Sequence, residues 1–256
     1  MLDAERRQQL VELVEQRNSL TVMELSDHFK VSAATIRRDL AQLSQRGMIE
    51  RAHGGAAKRV RVTTEMPEPP LLNRSTIQAD EKRRIGIAAA AHIHDGETII
   101  ISSGTTTAAM IPHLADRNGM TVITNALNIV LALAPFPHIS VIVLGGVLRH
   151  SELTVLGSLG EDAMENLRAD KLFMGSSAIH AGYGLSAENF AESRSDQTLM
   201  NAAREIVVLA DHTKFGRVAL VRVSPLKRIR RLITGHELPE EAARLLAEQD
   251  VILELV

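Results

Sequence analysis

The residues best suited to binding chemistry are the hydroxyl-rich stretch 102–107, Ser-Ser-Gly-Thr-Thr-Thr, which follows the apolar run 98–101. Ser102, Ser103, Thr105, Thr106 and Thr107 offer hydroxyl donors, and Gly104 lets the backbone approach a ligand closely. A helix starting here adds free amide N–H groups and the positive end of its dipole, which together suit a phosphate or another oxyanion. The stretch is not a nucleotide P-loop, because no Gly-Lys-Ser/Thr follows. A hydroxyl-rich helix cap without a ligand is the competing reading. Ligands of open α/β sheets bind beyond the carboxyl ends of the strands. The groups after later apolar runs therefore join the candidate effector set: Asn125 after Thr124, Gly145 beside Gly146, and Lys214 in the Asp-His-Thr-Lys-Phe-Gly stretch 211–216. Gly175, Ser176 and Ser177 end another such run. Lys214 supplies a cation for a phosphate or sugar oxygen.

No catalysis is expected from this set. Aldose–ketose isomerisation needs a carboxylate or equivalent base over a carbon-bound proton. The strand ends offer Asp211 and Glu188 but no carboxylate pair. A metal is not expected either. His92 and His94 stand two apart, which turns them to different faces of a helix, and His113, His150, His180 and His212 are scattered. The chain has no cysteine, so thiol catalysis, disulfides and cysteine-based zinc sites are excluded. No cofactor is expected.

A second kind of chemistry is written near the N-terminus. Ser32 is a good N-cap, and Ile36, Leu40 and Leu43 follow at helical spacing as a narrow apolar stripe. Thr35, Arg37, Arg38 and Asp39 flank that stripe, where a recognition helix meets base edges and phosphates. Upstream, Thr21 caps a short helix with Val22, Leu25 and Phe29 on one face, and only Lys30 and Val31 separate it from Ser32. That is the tight geometry of a helix-turn-helix. Residues 49–53 read as extended, and Gly54-Gly55 permits a tight turn, as in a winged variant. Residues 1–29 carry three Lys/Arg against six Asp/Glu, whereas residues 30–60 carry seven against two. This basic stripe is the footprint that phosphates select. The candidate DNA-binding residues are Thr21, Ser32, Thr35, Arg37, Arg38, Arg51, His53 and Gly54. The alternatives are a solvated helical pair or a protein-interaction module.

The elements that must hold these groups are legible as two domains. Residues 1–57 form the winged helix-turn-helix, with a first helix over 5–16 whose Leu10, Val11 and Val14 face the core. Residues 58–80 carry Pro67, Pro69 and Pro70 without clear periodicity and read as a linker, part of which, near 71–74, packs on the larger domain. Residues 81–256 form an α/β domain. Aliphatic runs at 98–101, 122–124, 141–144, 172–174, 206–210, 232–234 and 251–255 alternate with helical patterns at 82–93, 105–114, 126–133, 160–167, 196–204 and 239–248. Continuous aliphatic strands alternating with helices predict a mostly parallel sheet covered on both faces. Pro112 predicts a kink or early end in the helix after the Thr-rich stretch. Aromatic residues make up only 2% of the chain, which argues against single-stranded nucleic-acid binding on stacking platforms. No signal peptide and no apolar stretch of membrane-spanning length is visible, so a cytoplasmic protein is expected.

At these residues the chain resembles the DeoR-type bacterial transcriptional repressors. The head matches their pattern at Val31, Ser32, Thr35, Ile36, Arg37, Arg38, Asp39, Leu40, Leu43, Gly47, Ile49, Arg51, His53, Gly54, Gly55 and Ala56. The larger domain matches at 81–86, 95–99, 103–107, 124–125, 144–146 and 211–216. The resemblance implies a sensor domain similar in fold to ribose-phosphate isomerases, a phosphorylated sugar or related anion as effector, and a homo-oligomer. Two departures stand out. Ser102 replaces an Asp common in the family, and Gly-Ser-Ser-Ala-Ile at 175–179 replaces a segment that carries another Asp. Both remove a carboxylate, which points to an effector unlike that of better-known relatives. The expected function is a repressor of a carbohydrate-metabolism operon, released from double-stranded operator DNA by its effector. The alternative is an isomerase-like enzyme with an appended DNA-binding head.

Overall fold

Apolar residues at helical spacing close the core of the first unit. In the computed structural model, which describes residues 3–17, 19–45, 49–52, 54–58 and 69–256, the chain divides into units Met1–Arg61 and Val62–Val256. The first unit contains α1 (Asp3–Arg17), β1 (Ser19–Thr21), α2 (Val22–Phe29), α3 (Ala33–Gln45), β2 (Ile49–Ala52) and β3 (Gly55–Lys58). Leu10 and Val14 of α1, Leu25 of α2, and Ile36, Leu40 and Leu43 of α3 are buried in one cluster. Such burial is worth about 1.5–3 kcal/mol per side chain. Thr21 Oγ1 accepts the Glu24 amide at 3.2 Å, and Glu24 Oε2 accepts the Thr21 amide at 2.7 Å, a capping box that starts α2. Lys30 ends α2 in the left-handed conformation, φ 51°, which turns the chain sharply toward α3. β1, which the sequence does not announce, pairs with β3 to give an antiparallel sheet of order β1-β3-β2. A Cβ at Gly55 would stand 2.1 Å from the Leu20 carbonyl oxygen, so no side chain fits there.

The second unit opens with a single turn, α4 (Leu71–Arg74), and continues with α5 (Ala79–Ala91), β4 (Thr98–Ile101) and α6 (Thr105–Ala108). Next come β5 (Thr121–Thr124), α7 (Leu127–Leu133), β6 (Ser140–Val143), β7 (Val147–Arg149), β8 (Thr154–Leu156) and α8 (Ser158–Glu165). β9 (Ala169–Met174), β10 (Ala178–His180), β11 (Gly184–Ala187), α9 (Phe190–Ala202) and β12 (Ala203–Leu209) follow. β13 (Val221–Ser224), β14 (Arg231–Thr234), α10 (Glu240–Ala247) and β15 (Ile252–Leu255) complete the chain. The seven aliphatic runs read from the sequence are the seven strands of one parallel sheet, ordered β15-β14-β12-β9-β4-β5-β6. Alternate residues go to opposite faces: Ile100, Leu172 and Val208 pack in one cluster, and Ile99, Phe173 and Val207 in the other. The inner strands β14, β12, β9, β4 and β5 are covered on both faces, which is why they are largely apolar rather than alternating with polar residues, whereas the edge strands β6 and β15 are partly exposed.

The helix expected over 105–114 is broken. α6 ends at Ala108, and a 3₁₀ turn, Ile111–Leu114, carries Pro112 near its start, where a missing amide does least harm. The helix expected from 196 begins six residues earlier, at Phe190. Two small sheets were not anticipated: the β7–β8 hairpin and the antiparallel β10-β11-β13 group. α4 packs on the second unit. Leu71 is buried, its amide donates to the Ser151 carbonyl at 2.8 Å, and Arg74 pairs with Glu152. No helix among the described residues is long and apolar enough to cross a membrane.

Candidate functional site

The first unit presents α3 with its apolar stripe inward and its arginines outward. Arg37 and Arg38 are exposed and have no ion-pair partner among the described residues. Ser32 caps α3, its Oγ accepting the Thr35 amide at 3.2 Å and lying 2.9 Å from Thr35 Oγ1. Asp39 leaves the candidate surface. It is buried and pairs with Arg6 of α1 at 2.7 Å. Thr21 spends its hydroxyl on the α2 cap, while Arg51 lies on β2 and Gly54 in the exposed turn before β3. His53 and Gly47 lie outside the described residues.

In the second unit a cleft opens beyond the carboxyl ends of β4, β5, β9 and β12. Ser102, Ser103, Gly104, Thr105, Thr106, Asn125 and Lys214 all line it, together with Gly175, Ser176 and Ser177. Gly104 is central to the loop: at φ 152° and ψ 154° it holds a conformation open only to glycine. Ser103 Oγ donates to the Glu152 carbonyl at 2.8 Å, which ties the loop to the β7–β8 turn. Among the described residues, the Thr105 and Thr106 hydroxyls have no hydrogen-bond partner. Two candidates do not line the cleft. Thr107 turns inward, its hydroxyl donating to the carbonyls of Ser102 and Gly104, each at 3.0 Å. Gly145 packs instead beside Gly160, where a Cβ on the latter would meet its oxygen at 2.8 Å. With only four residues in α6, little helix dipole is available, so any anion there must rely on hydroxyls, amides and cations.

The cations are Lys214, Lys82 and Arg74, and only the first is legible as a site residue in the sequence. Lys82 is buried, donates to the Arg74 carbonyl at 2.9 Å and stands 4.0 Å from Asp211. Its neighbour Glu81 fixes this corner: Oε1 accepts the amides of His212, at 2.8 Å, and Gly235, at 3.2 Å, while Oε2 meets His212 Nδ1 at 2.8 Å.

The cleft holds more carboxylates than the strand ends supply. Glu188, Glu192, Asp196, Asp211 and Glu152 all line it. Glu192 and Asp196 stand four apart on α9, on one helix face. They come from a helix rather than from strand ends, which is why strand-end reasoning missed them. Burial, followed by the nearby Glu192 charge, pushes the Asp196 carboxyl up to about 8.

Residues 6–60 match the DeoR-like helix-turn-helix domain, and residues 77–236 match the DeoR C terminal sensor domain. The chain belongs to the DeoR family of transcriptional repressors. Among DeoR-family relatives, the glycerol-3-phosphate regulon repressor of Escherichia coli strain K12 is 31% identical over 100% of both chains. The HTH-type transcriptional regulator GolR of Listeria innocua is 33% identical over 93% of this chain and 92% of its own. The putative aga operon transcriptional repressor of Escherichia coli O157:H7 is 32% identical over 99% and 94%. Among solved structures, ribose 5-phosphate isomerase A of Methanocaldococcus jannaschii aligns over 54% of this chain and 55% of its own, with 18% identity and a TM-score of 0.40.

The α9 residues missed in the sequence had a signal. Asn189 followed three residues later by Glu192 is a helix-start signature, and the structure uses it: Asn189 Oδ1 accepts the Glu192 amide at 3.0 Å. Starting the helix there puts Glu192, Ser195 and Asp196 on successive turns of one element. Glu152 and Arg74 had no comparable signal, because a three-residue strand and a four-residue helix are too short to show a period.

Proposed function

We propose that this repressor reads operator DNA through α3 and the β2–β3 wing, and that a phosphorylated sugar or related anionic metabolite in the cleft releases it. The observation that carries the reading is the makeup of one cleft wall. Lys82 and Arg74, on the stretch of chain that follows the head in sequence, stand in the same cleft as the strand-end loop 102–106. A phosphate at that loop takes hydrogen bonds from Thr105 and Thr106 and competes with Asp211 for Lys82. Ligand binding thereby favours one arrangement of this stretch, and the head population shifts with it. Support for a phosphorylated polyol or sugar comes also from the name of the glycerol-3-phosphate regulon repressor. Recognition of paired half-sites calls for a homo-oligomer, and work on DNA places the protein in the cytoplasm.

Fluorescence anisotropy with operator duplex tests the reading. Affinity should fall when glycerol 3-phosphate or a hexose or pentose phosphate is added, and should not change with the unphosphorylated sugar. No response to any phosphate ester would overturn it.

One observation favours a second reading, an isomerase-like activity: Asp196, with its carboxyl near pH 8, has the profile of a general acid or base. Binding without turnover remains the proposal. Conversion of aldose to ketose phosphate at a rate abolished by Asp196→Asn would replace it.

A further inference from the structure

β6 forms one edge of the large sheet, and it lacks the usual guards of an edge. Ser140 donates its amide to the Met120 carbonyl at 3.0 Å and Leu144 to the Thr124 carbonyl at 2.8 Å, so the inner side of the strand is spent on β5. Alternation along a strand turns the amides of Val141 and Val143 the other way. No strand among the described residues stands there. Such an edge is a template for further pairing, and proteins commonly blunt it with charge, proline or a bulge. β15, the opposite edge, carries Glu254, which Arg231 meets at 2.7 Å and His92 at 2.8 Å. β6 reads Ser-Val-Ile-Val, with neither charge nor proline.

The side chains around this edge are a second observation. Ile142, Val143, Val147 and Leu159 are 39–78% exposed. Leu144, Gly145 and Gly146 alone separate Val143 from Val147, and Leu159 adjoins them because its neighbour Gly160 packs against the Gly145 carbonyl. α7, the helix that joins β5 to β6, adds the exposed Leu131. Residues 118–148 contain no Asp, Glu, Lys or Arg, in a chain of which 23% is charged. Single exposed hydrophobic residues need no explanation, but a group of them on a bare sheet edge marks a binding surface.

The partner must match an uncharged, strand-shaped surface. A lipid surface would call for Lys and Arg around the apolar group. Arg149, the arginine that follows it in sequence, is already paired with Glu192. A second copy of the same edge fits on three counts. Two uncharged edges meet without like charges facing each other. A two-fold axis sets the strand against its copy antiparallel, which pairs the outward amides and carbonyls of both. At on the order of 50–100 Å² per apolar side chain, the group supplies a large part of the roughly 800 Å² per partner of a standard interface.

We infer that two copies of this chain join through β6 and the start of β7, edge to edge about a two-fold axis, so that one sheet runs through both sensor domains. This rests on the proposed homo-oligomer and names the surface that makes it.

Sedimentation velocity on the full chain, over a range of concentrations, tests it. Val143→Lys and Val147→Lys each place a charge on the interface twice over, once from each copy. Each should weaken self-association about a hundredfold or more, so that the variants sediment at half the wild-type mass. Both positions are exposed, so circular dichroism should not change. Val147, the more exposed, carries the test if Val143→Lys fails to fold. Ile252→Lys, on the opposite edge, should leave the mass as it is. A palindromic operator duplex should bind both β6-edge variants more weakly, whereas a half-site duplex should not distinguish them from wild type. Wild-type mass in both variants overturns the β6 interface and leaves the homo-oligomer standing, and dissociation by Ile252→Lys alone moves the interface to β15. Binding of wild type to neutral lipid vesicles that Val147→Lys abolishes, with no change of mass, assigns the edge to lipid instead. A wild-type chain that stays monomeric with and without operator DNA removes the homo-oligomer itself.

Discussion

Arg6 Nε donates to Asp39 Oδ2 at 2.7 Å, and both side chains are almost fully buried, at 7% and 6% exposure. Arg7 Nε adds a second approach at 3.6 Å. Asp39 follows the two outward arginines directly in sequence, yet it points the other way and fastens α3 to α1. Removing one partner of a buried pair costs about 3–5 kcal/mol. Asp39→Ala should therefore lower the urea midpoint of the first unit and abolish DNA binding through loss of fold. An unchanged unfolding curve would show that the pair does not hold the helices together.

Arg37 and Arg38 should behave in the opposite way, since both are exposed. Replacing either with Ala should cost about 1–3 kcal/mol of operator affinity and leave the circular dichroism spectrum intact. An arginine on a base relaxes specificity at one position, whereas one on a phosphate weakens all sequences alike and flattens the salt dependence. Full affinity in the double variant would remove α3 from the DNA.

Two cleft substitutions should separate sensing from repression. Thr106→Glu places a negative charge where the phosphate is proposed to sit. Lys214→Ala removes a charge-assisted contact of about 1.5–3 kcal/mol, or about tenfold to a hundredfold in effector affinity. Both variants should hold operator DNA as wild type does without effector, and both should resist release by it. Anisotropy titrations read both quantities, and a normal release curve in both would move the ligand elsewhere.

Asp196 makes stability depend on pH. Burial, followed by the Glu192 charge, pushes its carboxyl up to about 8 in the folded chain, against about 4 when unfolded. Between those values the folded chain holds a proton that the unfolded chain has released, so stability falls as pH rises through this window. Asp196→Asn removes the ionisable group. In scanning fluorimetry without ligand, the variant should melt above wild type at about pH 8.5, with the gap closing toward about pH 5. A pH-independent gap would assign the effect to packing.

The sheet was legible because its inner strands are buried on both faces, so runs such as Thr98–Ile101 stand out as unbroken aliphatic stretches. The head was legible because Ser32, Ile36, Leu40 and Leu43 state a cap and a helical period together. Direction was harder to read than position. Thr107 and Asp39 belong to motifs whose neighbours face outward, and only the packed structure shows them turned inward. The acidic side of the cleft was hidden for a different reason. Phe190, 76% exposed, opens α9 without contributing to the core, so the apolar period understates where the helix begins.

α4 is a single turn, and it is tied to the rest of the unit by the Leu71 amide on Ser151, by Arg74 on Glu152 and by Lys82 Nζ on the Arg74 carbonyl. One turn has almost no cooperative stability of its own, so such a piece opens locally at far lower free energy than the central strands. Its anchor, Glu152, is also where Ser103 of the 102–106 loop attaches. The Leu71 amide should then exchange with deuterated solvent long before that of Phe173 in the middle of the sheet. Its exchange should slow when the cleft is filled, which makes one backbone proton a clock for the state of the sensor.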